Sequence, residues 1–66
     1  MLNVYNAKLN KTVYSKSSGA IGTITEVNSN DPNYRGATTV KIKWNSGNVS
    51  HTPLPIPVVC VMEGVD

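Results

Sequence analysis

Imidazole, hydroxyl, thiol and carboxylate are the groups that acid, base or nucleophilic chemistry draws on, and this chain holds few of them at useful spacing. His51 is its one histidine and Cys60 its one cysteine; Ser50, Glu26 and Asp31 are the other groups to weigh. A nucleophile–histidine relay needs a carboxylate to orient the ring. The strand outline developed below places neither Glu26 nor Asp31 beside His51. Glu26 stands among hydroxyl residues without a second acid for acid/base work. Cys60 lies in the apolar run Val58–Met62, where a free thiol behaves as a small hydrophobe. A structural zinc site takes about four Cys and His ligands, more than His51 and Cys60 can supply. The expectation is a non-enzymatic protein, with no catalytic, metal-binding or cofactor-binding residue.

Binding chemistry is better represented. Lys41 and Lys43 leave the same face of one strand, roughly 6.5–7 Å apart along the backbone. Arg35, Lys16 and the rings of Tyr34 and Tyr14 complete a candidate binding set of basic and aromatic side chains. Such a set suits phosphates with a stacking ring, or the rim of a protein interface. Formal net charge is +2, and before Glu63 six basic residues stand against only Glu26 and Asp31. That surplus is modest beside the dense basic stripe of a dedicated nucleic-acid binder.

The elements that position these groups follow from the pattern. Val40, Ile42 and Trp44 alternate with Lys41 and Lys43, the period-2 signature of a strand with one buried and one wet face. Asn45-Ser46-Gly47 offers a hairpin loop, and Asn48–Thr52 the return strand. Trp44 is expected inside, with its indole N–H bonded at the rim. Lys11–Ser15 reads as a first strand with Val13 inward and Tyr14 outward. Ala20–Asn28 reads as a second, in which Ile21 and Ile24 differ in parity; a bulge near Gly22 would bring both into the core. Asn28–Gly36 is a nine-residue turn-rich loop presenting Tyr34 and Arg35. Pro53, Pro55 and Pro57 make a stiff connector, and Val58–Met62 a last strand. Residues 1–10 form a ragged arm or short edge strand, with Val4 and Leu9 as its covering side chains.

The whole is one domain, 1–66: a barrel over about 11–62, an N-terminal arm 1–10 and a solvated tail 63–66. Apolar residues make up 39%, charged residues 15%, and phenylalanine is absent. No run of about 18 apolar residues is present, so no membrane span is expected. The start has no secretory-signal order, and with a lone cysteine this favours the cytoplasm.

Gly19-Ala20-Ile21-Gly22-Thr23-Ile24, followed by Val40-Lys41-Ile42-Lys43-Trp44-Asn45-Ser46-Gly47, resembles the small barrel families. The first piece looks like the core of KOW modules, which contact RNA. The pair looks like mind bomb-type barrels, where Gly-x-x-Gly-Thr precedes a strand ending in Trp-Asp/Asn-x-Gly. Tudor-like barrels share the outline, although their aromatic cage would have to come from Tyr14, Tyr34 and an inward Trp44. The likeness covers about residues 11–61 and implies an all-β, five-stranded SH3-like barrel. The function expected is a small adaptor binding a protein partner, as a monomer or weak homo-oligomer. The alternative is a KOW-like module contacting nucleic-acid phosphates through Lys41, Lys43 and Arg35. A small phage or bacterial accessory protein would have this size.

Overall fold

In the computed structural model, residues 1–62 are described; the expected tail at 63–66 lies outside them. The chain is all-β, with strands β1 (Thr12–Ser15), β2 (Ile21–Asp31), β3 (Ala37–Trp44), β4 (Val49–Pro53) and β5 (Val59–Val61). A 3-10 turn, Pro32–Tyr34, joins β2 to β3. All neighbours pair antiparallel in one five-stranded sheet of order β4-β3-β2-β1-β5. No helix among the described residues is long and apolar enough to cross a membrane.

The alternation in β3 decides which side of the sheet is packed. Val40 and Ile42 are buried against Val27 and Ile24 of β2, while Lys41 and Lys43 take the opposite face. Val13 of β1 and Val59 of β5 join the same core. Trp44 packs half-buried against that core, and its Nε1 donates to Ser50 Oγ at 2.9 Å, the rim hydrogen bond that an inward indole requires. Its ring lies over Gly22. A Cβ on that glycine would meet Ile42 Cγ2 and Trp44 Cε3 at 2.8 Å and Lys43 O at 2.9 Å.

Three expectations need correction. The bulge falls at Thr25: Ile24 opposes Ile42 and Glu26 opposes Lys41, leaving Thr25 as the extra residue. It brings Ile24 and Val27, three residues apart, onto the packed face. Gly22 stays in regular register opposite Trp44, and Ile21 remains exposed. The glycine is needed for the close approach of the indole, and the parity change occurs downstream.

The stretch Asn28–Gly36 is also mostly not loop. β2 runs on to Asp31 through a second irregularity, with Asn30 in the left-handed region (φ 57°), and the 3-10 turn follows directly. Asp31 Oδ1 accepts the Asn33 amide and Pro32 opens the turn, a standard start for a short helix.

The N-terminal segment packs through other residues than Val4 and Leu9, both of which are exposed. Leu2 is fully buried (0%) and bridges Ile56 by hydrogen bonds in both directions, at 3.1 and 2.8 Å, and Ala7 is buried beside the core. The bridge holds Leu2 in the buried cluster, against which Leu54 and Ile56 of the proline segment also pack. That segment holds a cis Leu54–Pro55 bond, and Pro53 ends the edge strand β4.

Candidate functional site

Register places two mostly polar rows of side chains across the outward face of β2, β3 and β4. Glu26, Lys41 and His51 oppose one another in one row, and Asn28, Thr39 and Pro53 in the next. The irregularity before Asp31 adds one residue to β2, so Asp31 opposes Ala37 on the same face as Thr39. A β2 without that extra residue would turn Asp31 to the other side.

The result is a compact cluster. Thr39 Oγ1 donates to Asp31 Oδ2 at 2.8 Å, and His51 Nε2 lies 3.1 Å from the same oxygen and 3.0 Å from Thr39 Oγ1. Thr39 is completely buried, and Asp31 is only 5% exposed. Tyr34 covers the group: its hydroxyl donates to the His51 carbonyl at 3.2 Å, and its ring meets the imidazole edge-on at 5.2 Å. The Thr39 hydroxyl, and after it the Asn33 amide and His51, holds the Asp31 carboxyl below its ordinary value despite burial. His51 therefore has a carboxylate partner, 20 residues away in sequence, contrary to the expectation that Asp31 lies elsewhere.

This is not a catalytic relay. In a nucleophile–histidine–acid arrangement the acid holds one ring nitrogen and the nucleophile faces the other. Here Asp31 and Thr39 both meet Nε2, and the hydroxyl is inaccessible. An Nε2–H shared between carboxylate and hydroxyl stitches β2, β3 and β4 together. Among the described residues no three His, Cys, Asp or Glu side chains stand close enough to hold a metal ion.

The binding set of Tyr14, Lys16, Tyr34, Arg35, Lys41 and Lys43 divides in two. Lys41 is tied to Glu26 at 3.5 Å. Glu26 also accepts from Asn28 Nδ2 at 2.7 Å; the Asn28 bond and the Lys41 charge hold its carboxyl low. Tyr34 is committed to His51. Lys43 and Arg35 are exposed, and neither forms an ion pair among the described residues. Arg35 sits in the left-handed region (φ 57°), unusual for a side chain without a local polar cap. Tyr14 and Lys16 belong to the other end of the sheet. Tyr14 opposes Cys60 across β1 and β5, on the face away from the core. Cys60 is thus half-exposed in polar company: the Met1 amine donates to Sγ at 3.3 Å, and with Lys16 nearby this lowers the thiol from its ordinary value.

Sequence reasoning missed a second exposed feature. Met1, Val4, Tyr5 and Leu9 are all exposed, Tyr5 at 84%. Val4 and Tyr5 project from a turn braced by amides: Asn3 Oδ1 accepts from the Tyr5 and Asn6 amides, Asn6 Oδ1 accepts from the Asn3 amide, and Asn6 Nδ2 donates to Met1 O. Asn3 and Asn6 carried the signal, since asparagine side chains close turns on nearby backbone amides.

No family model matches the chain, and neither a curated protein nor a solved structure matches it.

Proposed function

We propose that this chain is a small non-enzymatic binding module that acts through a protein partner. The observation that carries the reading is the state of the basic face: Lys41 is neutralised by Glu26, and Tyr34 is folded onto His51. Two successive phosphate contacts and a free stacking ring are what a nucleic acid would need there. One lysine of the pair and the ring are already engaged. The exposed aromatic of the molecule is instead Tyr5, and exposed tyrosines on a fixed backbone suit protein interfaces.

The finer fold reading is an SH3-like barrel. It is supported by a long β2 shared between two halves, Ile21–Thr23 pairing with β1 and Gly22–Asp31 with β3, and by β5 returning beside β1. A cytoplasmic setting fits the single, unpaired cysteine.

The second reading, a KOW-like contact with nucleic acid, rests on Arg35 and Lys43, which remain exposed. Fluorescence anisotropy with mixed-sequence single-stranded RNA and duplex DNA at two salt concentrations separates the two. The protein-partner reading expects no complex tighter than the micromolar range at physiological salt. A nanomolar complex that weakens with a log–log salt slope of about −0.7 to −0.9 per phosphate, and is lost in Lys41→Glu/Lys43→Glu, overturns it.

A further inference from the structure

We propose that the amide-braced turn at Val4–Tyr5 is the surface that meets the partner, and that the partner is a protein with an apolar recess edged by carboxylates. This rests on the protein-partner reading above and names the chemistry of that partner.

The turn is built for presentation. Buried Leu2 anchors it on one side and buried Ala7 on the other. Ala7 N donates to Asn3 O at 3.0 Å and closes the turn; the Leu2 bridge to Ile56 fastens one end to the proline segment, and the Asn10 amide, reaching Ile24 O at 2.8 Å, fastens the other to β2. Between these anchors the Asn3 and Asn6 side chains close the turn on itself. The backbone carrying Val4 and Tyr5 is therefore fixed before any partner arrives, which lowers the ordering cost of binding. A solvated turn gains nothing from a valine, a tyrosine and nearby Leu9 held out in water. A docking turn does, because rigid aromatic and aliphatic tips fill recesses.

Charge specifies the rest. Residues 1–20 contain Lys8, Lys11 and Lys16 and no acid. Lys8 follows the turn directly. Lys16 lies at its other end, since Met1 reaches Cys60 and the Lys16 charge acts on that thiol. Lys8 and Lys16 are exposed and form no ion pair among the described residues. Glu26 and Asp31 are engaged on the outward face of β2–β4 with Lys41, Thr39 and His51. An apolar tip flanked by the exposed cations Lys8 and Lys16 is complementary to an apolar recess with an acidic rim.

The test is site-specific photocrosslinking. A benzophenone amino acid is placed at position 5 in one full-length variant and at position 43 in another, each expressed in the cells that make the protein, and adducts are mapped by mass spectrometry. The proposal expects a discrete protein adduct from position 5, linked to a peptide flanked by Asp or Glu. The adduct should fall on the order of tenfold in Lys8→Glu/Lys16→Glu, because rim charge reversal slows encounter. The charge-reversed protein is checked for unchanged thermal stability. Protein adducts from position 43 alone overturn this inference and leave the protein-partner reading standing. RNA or DNA adducts from position 43 alone overturn both. Lipid adducts from position 5, no adduct from it, or a yield indifferent to the charge reversal also overturn the inference.

Discussion

Two leucines seven residues apart give the sharpest test of the architecture. Leu2 is fully buried and bridges Ile56; Leu9 is 60% exposed. Truncating Leu2 to Ala removes buried methyl groups and leaves a cavity between the N-terminal segment and the proline segment. Such losses run to about 2.7–5 kcal/mol. A domain of this length has a total stability of roughly 3–10 kcal/mol, at about 0.05–0.15 kcal/mol per residue. Leu2→Ala should therefore remove about a quarter or more of it, and in the lower part of that range unfold the protein at room temperature. Leu9→Ala should change stability by no more than about 0.5 kcal/mol. Urea titration followed by Trp44 fluorescence measures both, with the slope expected to stay constant while the Leu2→Ala midpoint falls. A Leu2→Ala midpoint within error of the parent, or equal losses from the two leucines, would refute the placement of the N-terminal segment in the core.

Other outcomes follow from single contacts. Gly22→Ala should cost about 1–3 kcal/mol in the same titration, because the new methyl collides with the Lys43 carbonyl as well as with the Trp44 ring. Arg35→Gly should stabilise by about 0.5–1 kcal/mol, the left-handed strain relieved less the entropy glycine adds to the unfolded chain; a loss would mean the Arg35 side chain makes a structural contact. Asp31 has a lowered native pKa, so its contribution is present above its ordinary value of 3.8 and lost as pH falls through the lower native value. An acid titration should show parent stability dropping below pH 4 more steeply than that of Asp31→Asn, and parallel curves would refute the Thr39–Asp31–His51 coupling.

What was legible in the sequence was whatever depends on near neighbours. Val40, Ile42 and Trp44 declared their face by alternation, and Gly47, with φ +96°, declared the hairpin that returns Ser50 to the indole. Leu2 was illegible because its partner lies 54 residues away and nothing local distinguishes it from Val4 or Leu9. The Asp31–His51 contact was hidden for a related reason. It exists only once β4 has taken the register that sets His51 against Lys41, and once the extra residue before Asp31 has chosen its face. Those are properties of pairing, which a single strand does not carry. The parity conflict between Ile21 and Ile24 was visible, but no bulge resolves it: Ile21 faces out, Gly22 sits in regular register under Trp44, and the bulge at Thr25 instead serves Ile24 and Val27.

The bulge at Thr25 makes this sheet tolerant of one particular deletion. Removing almost any other strand residue would send every side chain beyond it to the wrong side. Removing Thr25 would not, since Ile24, Glu26 and Val27 already alternate as a regular strand would. What the shortened chain would lose is curvature, because a bulge bends and twists the strand that contains it. Ile24 and Val27 would still meet Ile42 and Val40, and the distant end of β2, with Asp31 on it, would swing away from Thr39 and His51. Sidedness and shape, usually inseparable in a sheet, are in this protein encoded by different residues.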